Sequence, residues 1–391
     1  MSSVLISRSP DLTRLQNEGF DLDVVGGYLV VRQVPYVTAE RTVAHGDLVC
    51  ELTLAGDRTT MPSSHVMYFT GHAPCHLNGS PITAIQHGEA MQQFGPGLSV
   101  QRSFSNKPAD GYADYYHKVA RYAEIISGPA VALDAAATAR PFRPISNEQS
   151  GSPFVYSDTN SARGHFQAVS GKLAEHKVGI VGAGGTGSYV LDLVAKTPVA
   201  EIRLFDADLF LQHNAFRAPG AASIEELQRK PTKVAYLAEV YSRMHRGVKA
   251  YAERMGSENL SHLEGLNFVF LCLDSGPAKK DIVEFLVEKD ISFIDCGIGV
   301  QSVDDRLIGI VRVTAATPKK HDHLEGRVSF AEPQDDAYST NIQIAELNML
   351  NAALAVIKWK KFTGFYADFE HEHHTTYSID TGMLTHEQLQ P

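Results

Sequence analysis

The stretch VGIVGAGGTGSYV, residues 178–190, decides the class of the fold. Its glycines Gly182, Gly184 and Gly187 have the GxGxxG spacing, and they follow an apolar run typical of a buried strand. A run with helical spacing comes next. Glycines in such a turn let a phosphate approach the backbone, and the N-terminus of the helix offers free N–H groups. The motif alone is equally typical of a nicotinamide or flavin enzyme, so other residues have to separate these interpretations.

Strand-like and helix-like runs alternate on both sides of this motif. The alternation includes the strand-like runs KVGIVGAGG and EIRLFDAD, the helix-like run SYVLDLVAK between them, and the later strand-like runs NFVFLCLD and SFIDCGIG. This order predicts βαβ units and therefore an α/β, Rossmann-like domain with a mainly parallel sheet.

The rest of the chain divides by composition. Residues 1–105 contain runs rich in β-branched residues, which predict a small α+β domain. Residues 106–170 combine helical spacing with a Pro- and Ser-rich stretch, which predicts a helical connector and linker. Residues 171–391 would form the nucleotide-binding domain, and the nearly all-apolar run 342–361 predicts a buried helix within it.

Charge and hydropathy exclude several classes of protein. The formal net charge is −10 and no long Lys/Arg run occurs, so neither a nucleic-acid partner nor a membrane surface is favoured. The N-terminus MSSVLISRSPDLTRLQ lacks the pattern of a signal peptide, and no apolar run reaches the length needed to cross a bilayer. These features predict a cytoplasmic protein.

Charged residues after the glycine loop separate a nucleoside triphosphate from a dinucleotide. Asp206 and Asp274 each follow a strand-like run, and the carboxyl ends of parallel strands face the ligand crevice. Arg217 follows Asp206 by eleven residues, and Lys233 lies sixteen residues further on. Two cations offset the charge of a triphosphate, while an acid can hold its magnesium ion. A dinucleotide enzyme needs no such cation pair.

At this point the sequence resembles a family. The elements GAGGTG, DAD, HNAFR, PTK and CLD match, in order and spacing, the ThiF/MoeB/HesA superfamily of ubiquitin-activating-type adenylyltransferases, over about residues 160–365. The resemblance implies ATP-dependent adenylation of the C-terminal glycine of a ubiquitin-like, β-grasp protein. The extra N-terminal domain resembles that of bacterial activating enzymes of ubiquitin-like conjugation. That likeness implies a conjugating-type protein partner, a homodimer and a possible place in antiphage defence.

The resemblance also implies roles for single residues. The loop residues that would contact the nucleotide are Gly182, Gly184, Gly185 and Gly187. The residues that would contact its phosphates are Asn214, Arg217 and Lys233. Asp206 would hold the ribose, Asp274 would bind Mg²⁺, and Asp208 would support the loop and the metal environment. Arg163 is the candidate for an arginine that reaches the ATP of the partner protomer.

The cysteines depart from the family pattern. The chain has four cysteines and no CxxC pair, so the zinc site of many relatives is not expected. Relatives that transfer the activated protein carry a cysteine before the last buried helix, and no cysteine occurs here after Cys296. Either the enzyme stops at the adenylate or another nucleophile accepts the acyl group.

Two kinds of acceptor are open. Ser339 and Thr340 precede the last helix and would form an oxyester, or they simply cap that helix. Possible local bases for them are His321, His323, Asp335 and Asp336. Cys75 is the other candidate, because it is flanked by two histidines in a predicted exposed turn.

Three other functions compete with the leading one. The glycine loop suits a nicotinamide or flavin oxidoreductase, against which Arg217, Lys233 and Asp274 argue together. A non-catalytic partner of a heterodimeric activating enzyme would not be expected to keep that set of residues. A ThiF-like enzyme that modifies a small peptide remains open.

Overall fold

The computed structural model describes residues 2–95, 97–147, 151–274, 276–330 and 342–387. The chain divides into two compact units. The first consists of Met1–Ser150 with Ser157–His165, and the second of Gly151–Tyr156 with Phe166–Pro391. The boundaries of 1–105, 106–170 and 171–391 drawn from composition remain a prediction about domains.

The first unit is built on an antiparallel sheet. Its elements are α1 (Ser2–Arg8), α2 (Pro10–Asn17), β1 (Asp21–Val25), β2 (Tyr28–Val37), β3 (Val43–Glu51), β4 (Leu54–Ala55), β5 (Arg58–Thr59), β6 (Val66–Phe69), β7 (Gln86–Gly95), β8 (Leu98–Ser105), α3 (Tyr115–Leu133) and α4 (Thr159–Arg163). Six strands pair in the order β1-β2-β3-β6-β8-β7, while β4 and β5 form a separate ribbon. The predicted α+β architecture of this part is confirmed.

Helix α3 supplies much of the core of the first unit. Tyr115, Val119, Tyr122 and Ile126 recur at helical spacing, and all four are buried in the cluster that contains the side chains of β2. The Tyr115 hydroxyl donates to the carbonyl of Glu51 at 2.9 Å, so the buried polar end of the ring is satisfied. The sequence analysis placed this helix in a connector, whereas its apolar stripe packs on the sheet.

The second unit carries the glycine loop. Its elements are α5 (Gln167–Ser170), β9 (Lys177–Val181), α6 (Gly185–Val194), β10 (Glu201–Phe205), α7 (Gln212–Ala215), α8 (Ile224–Arg229), α9 (Lys233–Tyr241), β11 (Val248–Tyr251), β12 (Phe268–Leu271), α10 (Pro277–Glu288), β13 (Ser292–Val303), β14 (Arg306–Ala316), α11 (Ala345–Phe362), β15 (His374–Ser378) and β16 (Met383–Glu387). The sheet order is β11-β10-β9-β12-β13-β14-β15-β16. Strands β11 to β13 of that order are parallel and the last three join antiparallel, which confirms a Rossmann-like, mainly parallel sheet.

Helices cover both faces of this sheet. One face packs against α6, α9 and α11, and the other packs against α10. Helix α11 buries Trp359 completely, but Met349 and Ile357 on its other side are 50% and 44% exposed. The burial predicted for this helix therefore applies to one side, because a helix in an outer layer has only one face toward the sheet. No helix among the described residues is long and apolar enough to cross a membrane.

The strand order creates a crevice at one edge of the sheet. The chain passes from β9 to β10 and β11, and then returns to the other side of β9 as β12. Phe205, Val181 and Leu271, the last residues of β10, β9 and β12, lie in register. Ligands of open parallel sheets bind where the strand order reverses in this way.

Candidate functional site

The glycine loop after β9 is fixed by the ends of both neighbouring strands. The N–H of Gly182 donates to the carbonyl of Phe205 at 2.8 Å, and the N–H of Cys272 donates to the carbonyl of Val181 at 2.8 Å. Gly182 has φ +90°, and a Cβ there would lie 2.5 Å from the Cys272 carbonyl oxygen. A Cβ on Gly187 would lie 1.8 Å from the carbonyl oxygen of Gly182. Both positions therefore require glycine for the fold itself.

Gly184 and Gly185 serve different purposes. A Cβ on Gly185 would lie 2.2 Å from the amide nitrogen of Asn348, which reaches across from α11. The Asn348 Oδ1 accepts a hydrogen bond from the Thr186 hydroxyl at 2.9 Å, so this contact ties α6 to α11. At Gly184, in contrast, no described atom lies within 4 Å of an added Cβ. The space in front of Gly184 is open at the helix N-terminus, where a phosphate would bind.

Asn348 escaped the sequence analysis. The sequence carried one signal for it, a polar residue inside the nearly all-apolar run 342–361. Its side chain is fully buried, and its Nδ2 has no hydrogen-bond partner among the described residues.

Asp206 links the glycine loop to the end of β10. Its Oδ2 accepts from the N–H of Ala183 at 2.8 Å, and its Oδ1 accepts from the N–H of Asp208 at 2.8 Å. Carboxylate oxygens have further lone pairs, so a ribose hydroxyl can still donate to Asp206. The ribose role of Asp206 remains a proposal.

Lys233 pairs with both acids that follow β10. It occupies the first turn of α9, whose N-terminus is capped by the Thr232 hydroxyl. The ammonium group of the buried Lys233 lies 2.6 Å from Asp208 Oδ2 and 3.4 Å from Asp206 Oδ1. The hydrogen bond from Lys233 holds the pKa of the Asp208 carboxyl below its usual range. The structure thus brings together three of the predicted site residues although 27 residues separate Asp206 from Lys233.

Asn214 and Arg217 present buried donors without partners. Asn214, on α7, accepts from the N–H of Leu211 at 2.8 Å through Oδ1, while its Nδ2 has no partner. The Nε of Arg217 is also buried without a partner, and its guanidinium forms no ion pair with a described residue. Unsatisfied buried donors are rare because each costs free energy, so a ligand with acceptor oxygens would complete them.

Asp274 lies beyond the carboxyl end of β12, across the glycine loop from Asp206. Its carboxylate is exposed and makes no hydrogen bond or ion pair with a described residue. Within the same part of the chain, no three His, Cys, Asp or Glu side chains gather as a metal-binding group. Mg²⁺ is commonly held by one or two carboxylates together with substrate phosphates and water, so a single free carboxylate at the crevice fits that ion.

Comparison with known families agrees with this geometry. Residues 158–336 match the model of the ThiF family. These residues form a ThiF family domain. The match supports a nucleotide-binding adenylyltransferase. Residues 10–159 match a domain of unknown function, DUF6791, which precedes the ThiF domain.

Solved structures resemble the ThiF part of the chain at low identity. Crystal structures of PaaA (18% identity, 57% of this chain, 76% of that chain, TM-score 0.45) and of E. coli MccB with MccA (18%, 59%, 72%, TM-score 0.47) are among them. A crystal structure of E. coli MccB with ATP matches at 18% identity over 56% of this chain and 65% of that chain, with a TM-score of 0.43. No curated protein matches the sequence.

The remaining predicted residues do not gather at the ThiF crevice. Ser339 and Thr340, with the possible bases Asp335 and Asp336, lie outside the described residues. Of the other possible bases, His321 is exposed, whereas His323 is buried and hydrogen-bonds the Ala315 carbonyl at 2.8 Å through Nε2. Arg163 ends α4 in the first compact unit. Its role at a partner's ATP remains a prediction.

The exposed turn predicted for Cys75 is wrong. Cys75 is buried, its N–H donates to the Val37 carbonyl at 2.8 Å, and its thiol donates to the Ala73 carbonyl at 3.3 Å. Burial raises the pKa of the thiol, which lowers the fraction of reactive thiolate at neutral pH. The turn residues around it suggested a surface loop, but short bridges to Val37 and Pro81 tie its backbone into the first unit.

Proposed function

We propose that the ThiF domain binds ATP in this crevice and adenylates the C-terminal glycine of a ubiquitin-like protein. The observation that carries the proposal is the pair of buried, unpartnered donors on Asn214 and Arg217. They follow the strand whose end holds the Lys233 pair with the two acids. Donors of this kind suit the oxygens of a polyphosphate, because a charged acceptor forms short and strong hydrogen bonds with them.

The reaction is a displacement at the α-phosphorus of ATP. A carboxylate oxygen of the terminal glycine forms the new bond to phosphorus, the bond to the bridging oxygen toward the β-phosphate breaks, and pyrophosphate leaves with those electrons. Side chains transfer no proton in this step, so the protein acts by positioning and by stabilising charge.

Each residue has a defined part in that displacement. Gly184 and the N-terminus of α6 leave room and N–H groups for phosphate oxygens. Arg217 and Lys233 offset the charge that develops on the departing pyrophosphate. Asp274 would hold Mg²⁺, which supplies further positive charge to the phosphates when bound. Asp206 keeps the loop and the end of β10 together and offers an acceptor to the ribose.

The proposal includes the partners that the family resemblance implies. The protein would act as a homodimer in which Arg163 reaches the ATP of the partner protomer. A conjugating-type protein would receive the activated ubiquitin-like protein, and Ser339 or Thr340 would carry any oxyester formed on the way. A cytoplasmic location and a role in antiphage defence belong to the same proposal.

Pyrophosphate exchange into ATP tests the first step. We expect exchange only when a β-grasp protein with a C-terminal glycine is present, and not when that carboxyl group is converted to an amide. ATP binding without exchange for any member of a panel of such proteins would refute the proposal. Exchange supported by short peptides but by no folded β-grasp protein would instead assign a peptide-modifying enzyme.

A further inference from the structure

A second charged cluster lies beside the crevice, and no step described so far uses it. Asp295 on β13 is fully buried, with Oδ1 2.6 Å from the ammonium group of Lys279 and Oδ2 accepting from Arg312 Nη2 at 2.7 Å. Lys279 is buried in the first turn of α10, and the Arg312 side chain on β14 is 21% exposed. We call these three residues the Arg312 cluster.

The cluster stands level with the glycine loop. Asp295 is in register with Leu271, and Leu271 is in register with Val181, the residue before the loop. The Arg312 guanidinium lies over Gly297 on β13, which is two strands from β9. Because neighbouring strands are about 4.8 Å apart, the guanidinium is about 10 Å from the strand that carries the loop.

The charges of the cluster do not cancel. Lys279 alone would neutralise Asp295, so Arg312 adds a net positive charge at a site where burying charge is costly. The sequence also makes room for it, since a Cβ on Gly297 would lie 2.6 Å from Arg312 Nη2. The Thr314 hydroxyl accepts a further hydrogen bond from Nη1 at 2.8 Å. The guanidinium is thus held in one place with one side toward solvent.

An open face continues from Arg312 along the β13–β14 hairpin. Gly297 pairs with Arg312, and the next pair on the same face is Gly299 with Ile310. No described atom lies within 4 Å of a Cβ added to Gly299, and Ile310 is 48% exposed. A glycine inside a strand often marks a place where another backbone approaches closely.

We infer that this face binds the extended C-terminal segment of the acyl substrate, and that Arg312 donates to a main-chain carbonyl of that segment. The inference rests on the proposed function and names the subsite that the substrate would occupy. An extended chain rises about 3.3 Å per residue, so about 10 Å corresponds to about three residues. Arg312 therefore contacts the segment about three residues before the reacting carboxyl group.

The chemistry of the face selects the occupant. The net positive charge attracts a chain that ends in a carboxylate, and the missing side chain at Gly299 admits backbone but leaves little width. Ile310 adds an apolar contact for the chain on the same face. A narrow C-terminal segment of small residues, ending in glycine, fits these conditions.

Two substitutions test this subsite by different routes. Gly299→Val adds a side chain where the fold has room, and a β-branched residue suits a strand, so the melting temperature should not fall. Arg312→Gln removes the charge. In pyrophosphate exchange with a Gly-terminated β-grasp protein, we expect each variant to raise KM for that protein about tenfold, the loss of one charged hydrogen bond, with KM for ATP within about twofold of wild type. Lys249→Gln, on β11 at the opposite edge of the sheet, is the matched charge-loss control and should leave both values unchanged.

The outcomes separate this subsite from adenylation itself. An unchanged KM for the carrier protein in Gly299→Val, with wild-type exchange intact, overturns the subsite and leaves the proposed function standing. A lower melting temperature in Arg312→Gln together with an unaffected Gly299→Val assigns the cluster to stability alone and overturns the inference as well. No exchange by wild type with any carrier refutes the proposed function, and this inference with it.

Discussion

Replacing Arg217 by alanine should abolish adenylation and leave the fold intact. In the structure its Nε is buried without a partner and the guanidinium pairs with no described acid. Its removal therefore leaves no buried charge unpaired, unlike the loss of one member of an ion pair. We expect the free energy of unfolding to change by no more than about 0.5–1 kcal/mol. For a unit of this size that is a shift of about 2–4 °C or less in melting temperature.

The catalytic loss follows from the donors that the guanidinium offers. A hydrogen bond to a charged group contributes about 1.5–3 kcal/mol, and a fixed donor aimed at developing charge is worth about 10²–10³ in rate. If Arg217 gives two such bonds to the departing pyrophosphate, the loss is about 3–4 kcal/mol, and each 1.4 kcal/mol is tenfold in rate. Arg217→Ala should thus lower the exchange rate by about 10²–10³.

Two control variants make the assay specific. Lys233→Ala removes a cation that is paired in the structure, so it should lower the melting temperature as well as the exchange rate. Arg229→Ala removes an exposed arginine that pairs with Glu239 and should change neither. Exchange by Arg217→Ala within about threefold of wild type would refute the reasoning, because the expected loss is at least about 10².

Other variants and conditions give further expectations. Gly184→Ala should keep the wild-type melting temperature but lose most exchange activity, since the added methyl group meets no described atom but occupies the phosphate space; Gly185→Ala should instead lower the melting temperature, because its Cβ would lie 2.2 Å from an α11 side chain. Equal melting temperatures for these two variants would contradict this assignment. Trp359→Ala should cost about 3–5 kcal/mol in denaturant unfolding followed by circular dichroism, because this fully buried ring packs against the sheet. A loss under about 1 kcal/mol would contradict it. Burial lowers the pKa of both His323 and His373, so the unfolded chain binds protons first as the pH falls below about 6.5, and stability that is complete above that value declines toward pH 5. His323→Gln should reduce this decline in melting temperature, and an equal decline in the variant would exclude His323 as a cause.

The fold of the second unit was accessible from sequence because its signals are local. The strand before Gly182 and the helix after it are written in short apolar runs, and their alternation implies parallel strands. The role of α3 was not accessible in the same way. Its apolar stripe is compatible with any covering surface, and only the packing shows that the stripe faces the sheet of the first unit.

The candidate site shows the same division. The sequence placed Asp206 and Asp274 at strand ends, and the crevice between those ends follows from the strand order. It did not show that Lys233 pairs with the acids, nor that Asn348 reaches the glycine loop from α11. The turn-rich context of Cys75 was misleading, because turn residues report backbone shape and not the exposure of one side chain.

The sequence by itself determined the nucleotide-binding motif, the parallel order of the strands and the residue types available for phosphate contact, since each depends on neighbours a few residues apart. Only the tertiary structure decided which of those side chains are already paired and which are free. Asp295 and Arg312 meet across two strands, and the donors on Asn214 and Arg217 remain without partners. The physical reason is that pairing and burial depend on distances in space, which residues far apart in the chain acquire only when the sheet and its covering helices form.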